Sequence, residues 1–339
     1  METKLLKAGN EALIEASNLI KNGDIVAVPT ETVYGIAGNA YDGEAIKKIF
    51  TAKGRPQDNP LIVHIASISE LDEVAVSVPD DAYTLALKFW PGPLTMVLKK
   101  SQKVSPVTTA GLDSVGVRMP NDEFARELII KSGVPFAAPS ANISGKPSPT
   151  TAKAVYEDMV GRLPLIVDGG ESMAGVESTV VSLLNETPII LRPGVITKAD
   201  LEDALNKKVE ISPAVIKGLK SDEKAESPGM KYKHYAPNAN MCLLDGSFEK
   251  FKNYVKNKKC DGAYCLVFDG EEKEIDLPCI TYGKENDGKS QAHGLFSALR
   301  KIDEVKAKTV YARCPKKDGI SLAVFNRLIR ASSFNLIEL

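Results

Sequence analysis

Apolar residues along the first two-thirds of the chain follow two alternating rhythms. Short unbroken apolar runs predict strands at Ile25–Val28, Leu61–Ile65, Thr95–Leu98, Val115–Arg118, Leu165–Val167, Thr179–Leu183 and Ile189–Leu191. Between them the apolar positions recur at helical spacing and predict helices over Glu44–Ala52, Asp81–Phe89, Glu123–Lys131, Ala152–Met159 and Lys198–Leu205. Three of these helices have a start signal. Asp42 precedes the first, Asn121 the third, and Thr150 or Thr151 the fourth, each with a side-chain oxygen for the free amides of the first turn. Strands alternating with helices predict an α/β, or α+β-like, domain built on a mixed sheet.

The texture then changes. Residues 208–240, rich in Ser, Pro, Lys and Gly and without a sustained period, read as a linker between a first domain over 1–207 and a second over 241–339. A loop this long is usually functional. After it, MCLLDG, a helix over Phe248–Lys256 and AYCLVF predict a β-α-β unit. Helices over Gln291–Val305 and Ser321–Ile329 flank a strand at Thr309–Ala312, which predicts a small Rossmann-like, doubly wound domain. That region has no G-x-G-x-x-G and no phosphate loop, so the fold brings no nucleotide claim with it.

With 339 residues there is room for two cores. The net charge of −1, with acids and bases interspersed, argues against a surface made to hold nucleic acid, so strong direct binding of nucleic acid is not expected. No apolar run approaches a membrane span, and the amphipathic start METKLLKAGNEALIEA lacks a signal-peptide core; the expected compartment is the cytoplasm. All five cysteines fall between 242 and 314, with no C-x-x-C pair and no His at ligand spacing. They read as reduced, mostly buried thiols rather than a metal site.

Candidate chemistry concentrates between Val28 and Ile65. Thr30, Glu31 and Thr32 follow a strand, Lys53 and Arg55 follow a helix, and Asn59 leads into LIVHI, which contains His64. Such joints are where α/β sheets bind ligands. There is no Walker A motif, so any ATP must be held by converging side chains; Lys53, Arg55, Arg118 and Arg192 are the candidate phosphate ligands. Arg55 and Arg118 are expected to project into the cavity and to contribute little to packing. Ser140, Asn142, Ser144 and Ser148 crowd one Gly/Pro-rich loop, either as ligands of phosphate or ribose or as a turn network that holds the loop itself. No nucleophile elbow and no H-E-x-x-H occur, which suits a reaction in which charged reactants are positioned rather than attacked by the protein.

These residues resemble the YrdC/Sua5 family of threonylcarbamoyl-AMP synthases. The family signature K-x-R then S-x-N is present as Lys53-Gly54-Arg55 and Ser140-Ala141-Asn142, with FWPGPLT, GVRMP, APSANISGKPSPT, ESTVV and LRPG at 89–95, 116–120, 138–150, 177–181 and 191–194. The resemblance covers about Ala8 to Pro237, and the second domain fits the arrangement of the longer Sua5 form. It implies a YrdC-type twisted mixed sheet with a concave active-site face. The implied reaction is that of a nucleotidyltransferase using ATP, L-threonine and bicarbonate, with Mg²⁺ carried by ATP and no protein cage for it. The product would pass to tRNA threonylcarbamoyl-transfer proteins.

The family pattern implies catalytic roles for Lys53, Arg55 and Arg118. It implies ATP contacts from Lys53, Arg55, Asn59, Ser114, Ser140, Asn142, Ser148 and Arg192, and L-threonine contacts from Thr32, His64, Arg118, Ala138 and Ser178. The linker motif SPGMKYKHYAP reads as a lid whose His234 or Tyr235 touches ATP, or as a tether whose aromatic side chains dock on the first domain. A module that binds RNA directly, and a carbamoyl-transfer enzyme with another acceptor, are the competing readings. Neither an aromatic–basic RNA motif nor zinc-finger cysteine pairs support them.

Overall fold

The computed structural model describes residues 1–217 and 235–339. Two compact units divide the described residues. The first comprises 1–144, 149–173 and 177–217; the second comprises 145–148, 174–176 and 235–339.

The first unit is built on one mixed sheet. Its strands are β1 (Lys4–Lys7), β2 (Val26–Val28), β3 (Gly35–Asn39), β4 (Ile62–His64), β5 (Leu94–Lys99) and β6 (Ser114–Arg118), followed by β7 (Phe136–Ala137), β8 (Leu165–Asp168), β9 (Thr179–Ser182), β10 (Ile189–Arg192) and β11 (Glu210–Ile211). Their order across the sheet is β1-β8-β2-β3-β7-β4-β6-β5-β9-β10-β11. Parallel pairs such as β4–β6 and β5–β9 alternate with antiparallel ones such as β4–β7 and β5–β6.

The unbroken apolar runs follow from burial on both faces. In the run through β2, Ile25 and Ala27 enter one core while Val26 and Val28 enter another; in β8, Ile166 faces the first and Leu165 and Val167 the second. The helix Gly43–Lys53 covers the first face with Ile46, Ile49 and Phe50. The helices Asn10–Lys21 and Glu123–Ser132 cover the second with Ala12, Ala16, Ile20, Phe124 and Leu128. Asp42 and Thr151 cap their helices as expected, but the third helix is capped by Asp122, not Asn121: its carboxylate accepts from Ala125 N at 2.9 Å.

Four strands of this unit had no strand signal in the sequence. β1 is a mostly exposed edge, β3 is the Gly-rich GIAGN, β7 has two residues, and β11 lies in the stretch read as linker. A short helix, Ala214–Lys217, also lies in that stretch.

The second unit carries a parallel sheet of β12 (Asn240–Asp245), β13 (Ala263–Val267), β14 (Cys279–Thr281), β15 (Thr309–Arg313) and β16 (Leu336–Glu338), in the order β14-β13-β15-β12-β16. At the end of β15, Arg313 is fully engaged. It meets Glu271 at 3.0 Å and Glu285 at 2.9 Å and donates to the Gly246 carbonyl at 2.7 Å, among the rings of Phe248, Phe251 and Phe268. All five cysteines are free; Cys242, Cys265 and Cys314 are buried, Cys279 half-buried and Cys260 exposed. Among the described residues no helix is long and apolar enough to cross a membrane.

Candidate active site

The site begins at the end of the helix Gly43–Lys53. Gly54 adopts the left-handed conformation (φ 61°) that terminates the helix, and nothing lies near its missing Cβ, so the backbone alone favours glycine here. The chain turns with Lys53 pointing inward and buried. Its ammonium donates to the carbonyl of Ser140 and, at 2.7 Å, to that of Asn142, while the Lys53 carbonyl accepts from Ser144 N at 2.9 Å. Burial, reinforced by the nearby Arg55 charge, holds this amine well below the ordinary lysine range. Lys53 thus braces the loop it shares a signature with. Within that loop Ser140 Oγ donates to Asn142 Oδ1 at 2.6 Å and Asn142 Nδ2 donates to the Ile143 carbonyl at 2.8 Å. The turn network anticipated for this loop therefore exists.

Sheet register lines up the next group. His64 on β4 is the partner of Arg118 on β6, and one step beyond the Met96–Val117 pair Thr95 on β5 faces Arg118. His64 stacks on Phe136, and its Nδ1 lies 3.1 Å from the Ile62 carbonyl. Burial and then the Arg118 charge push its imidazole down to about 3, so the ring is neutral at physiological pH.

Arg118 donates from Nη1 to Thr32 Oγ1 at 2.9 Å, and its Nη2 lies 2.6 Å from Glu31 Oε2. That ion pair is close but off the N–H line: Nε and Nη2 of Arg118 and both oxygens of Glu31 make no aligned hydrogen bond among the described residues. Thr30 sets the turn that presents both partners, donating to the Val33 carbonyl at 2.6 Å and lying 2.9 Å from the Thr32 hydroxyl. The expectation that Arg118 contributes little to packing does not hold. Its side chain is buried and tied to two side chains of another loop.

A third cluster follows across the sheet. Ser178 Oγ lies 2.8 Å from Thr95 Oγ1, and Arg192 donates from Nε to the Ser178 carbonyl at 3.1 Å and from Nη2 to Ser178 Oγ at 3.2 Å. Gly194 permits this approach, since a Cβ there would come within 2.4 Å of Thr179 N. Asn59 is fully buried, and neither atom of its amide has a hydrogen-bond partner among the described residues. Ala138 stands at the head of the loop, its N–H donating to the Ile62 carbonyl at 3.0 Å. Arg55 follows Gly54, half-buried, with its own N–H on the Phe50 carbonyl.

Thr32, His64 and Arg118 are thus brought together, as are Lys53, Ser140 and Asn142, and Ser178 with Arg192. Ser114 stands apart. It opens β6, about 13 Å along the strand from Arg118, and lines a different groove with Ser77, Leu98 and Leu183. Ser148 is buried in the excursion 145–148 that belongs to the second unit. Tyr235, also in the second unit, is buried with its ring 5.2 Å from that of Phe296, and its backbone takes an unusual φ of 64°. His234 and most of SPGMKYKHYAP lie outside the described residues. No specific role for Glu31 or Thr95 follows from residue patterns. Only their placement in T-E-T and FWPGPLT, beside assigned residues, marked them. Among the described residues no group of three or more His, Cys, Asp or Glu converges as a metal site.

Residues 18–194 match the model of the Sua5–YciO–YrdC family, described as Telomere recombination. Residues 196–333 match that of the threonylcarbamoyl-AMP synthase C-terminal domain. A threonylcarbamoyl-AMP synthase of Pyrococcus abyssi is 44% identical, covering 95% of this chain and 94% of its own. One from Bacillus subtilis is also 44% identical, covering 99% and 97%. The crystal structure of P. abyssi Sua5 complexed with L-threonine is similar over 100% of both chains, at 42% identity and a TM-score of 0.92.

Proposed function

We propose, from the premise that this chain belongs to the Sua5–YciO–YrdC family, that it is an enzyme and a threonylcarbamoyl-AMP synthase. The observation that carries the proposal is the 44% identity, over nearly the full length of both chains, to curated proteins of that name. Its reaction class is nucleotidyl transfer. The amine of L-threonine attacks the carbon of bicarbonate to give N-carboxythreonine with loss of water; the new carboxylate attacks the α-phosphorus of ATP, and pyrophosphate leaves.

In this reading Arg118, Thr32, His64, Ala138 and Ser178 hold threonine. Arg118 supplies charge, and a neutral His64 is free to share a hydroxyl hydrogen bond. Arg55, Asn59, Ser140, Asn142 and Arg192 hold the nucleotide, with Lys53 keeping the Ser140–Asn142 loop in place. Mg²⁺ would arrive with ATP rather than in a protein cage, and would supply positive charge where negative charge builds on the phosphates. Side chains fixed in advance by the sheet stabilise that charge without reorganising. The product feeds N6-threonylcarbamoylation of tRNA adenosine, completed by other proteins in the cytoplasm.

Purified protein should release pyrophosphate from ATP only when both L-threonine and bicarbonate are present. Serine should be disfavoured by about 1–3 kcal/mol, the worth of one methyl group in a pocket. Turnover without bicarbonate, or equal turnover with serine, refutes the assignment.

A further inference from the structure

Arg118 has one edge to offer a carboxylate. Its Nη1 already donates to Thr32, whereas Nε and Nη2, the two donors along the other side of the guanidinium, make no aligned hydrogen bond among the described residues. Beside that edge sits Glu31, with Oε2 2.6 Å from Nη2 and both oxygens off line. The two side chains are only 5% and 12% exposed. An acid whose task was simply to anchor Arg118 would align its oxygens on those N–H groups, as a bidentate pair does. Glu31 instead pairs with the cation by charge alone, its oxygens without an aligned hydrogen bond.

Charge then decides what fits. Arg118 and Glu31 cancel, and His64, facing Arg118 across the strands, is neutral. Asp122 is a further acid close enough to feel Glu31, but its carboxylate is engaged in capping a helix through Ala125 N. A ligand bearing only a carboxylate would add negative charge beside these acids in a site shielded from water, at a heavy desolvation cost. A zwitterion brings its own cation. In an α-amino acid a single carbon separates the two charged groups, which matches the adjacency of Arg118 and Glu31.

We infer that Glu31 is the acceptor for the α-ammonium of the amino-acid substrate. The substrate carboxylate takes the Nε–Nη2 edge of Arg118, and Glu31 leaves its off-line contact to accept hydrogen bonds from the ammonium. The inference rests on the threonine reading above and adds a residue to it: Glu31 makes the site select an amino acid over a hydroxy acid of the same shape.

The test is calorimetric titration of the full chain with L-threonine and with 3-hydroxybutanoate, which has the same carboxylate and hydroxyl but no amine. Wild type should prefer L-threonine by about thirtyfold or more, the scale set by an unpaired buried charge. Glu31→Gln should shrink that margin by weakening threonine while leaving 3-hydroxybutanoate as tight or tighter; Glu31→Asp should retain part of it. A purely structural Glu31 would weaken both ligands together, and that result overturns the inference. So does an unchanged margin in Glu31→Gln. Should that variant fail to fold, equal affinity of wild type for the two ligands overturns it as well. If wild type binds no threonine at all, the proposed function falls too; if threonine binds but the margin ignores Glu31, only this inference falls.

Discussion

Arg118→Ala should destabilise the first unit as well as stop synthesis. The substitution leaves Glu31, 12% exposed, without its cation and takes from Thr32 the donor at 2.9 Å. Removing one partner of a buried ion pair costs about 3–5 kcal/mol, because the remaining charge stays desolvated. For a unit of this size each kcal/mol moves the melting temperature by about 2–4 °C, so the expected drop is about 6–20 °C. Pairing it with Glu31→Gln removes the stranded charge and should reduce the loss to about 1–2 kcal/mol, that of an unsatisfied neutral group. The assay can be confined to the correct unit. The chain has one tryptophan, Trp90, buried in the first unit with its indole N–H on the Leu94 carbonyl at 2.7 Å. Its fluorescence on heating reports that unit alone. If Arg118→Ala melts within about 2 °C of wild type, or the double variant melts no higher than the single, Glu31 and Arg118 are not a mutually dependent buried pair.

His64 gives a pH prediction. Its imidazole takes up a proton near 6.5 in the unfolded chain but only at about 3 in the native one, so the unfolded state binds more protons between those values. Stability should hold above about pH 6.5 and fall as pH drops toward 3; urea midpoints for His64→Gln should be flatter over the same window, and a wild-type slope no steeper than the variant's contradicts a buried neutral imidazole. In the second unit, an aromatic disulfide reagent should modify Cys260 first, then Cys279, and reach Cys242, Cys265 and Cys314 only on unfolding; rapid modification of three or more thiols in the native protein would be inconsistent with their burial.

Much of this was legible from residue patterns, for reasons that differ by element. Strands such as β2 and β8 announce themselves because both faces are buried, which removes polar positions from the run. The helices Ala152–Met159 and Lys198–Leu205 were placed to the residue, the second held by a capping box between Thr197 and Asp200. β1, β3, β7 and β16 exist through their partners rather than their composition; a Gly-rich strand such as GIAGN carries no local preference for extension. At the site, motif matching found the cations but not their relationships. Sequence spacing cannot reveal that the Lys53 ammonium is taken up by two carbonyls, or that Arg118 shares its charge with Glu31. Both depend on strand register among segments more than eighty residues apart.

The brace between Lys53 and the Ser140–Asn142 loop also fixes when the protein becomes competent during synthesis. Its two ends lie 87 and 89 residues apart in the chain, with β4, β6 and β7 between them, so it cannot close until all of that segment has been made. At ribosomal speeds of about 5–20 residues per second, Lys53 emerges roughly 4–18 s before Asn142 does. Throughout that interval its amine remains hydrated and fully charged, and no nascent fragment ending before Asn142 has the loop in position. The braced form of the loop therefore arrives in one step, late, rather than growing with chain length.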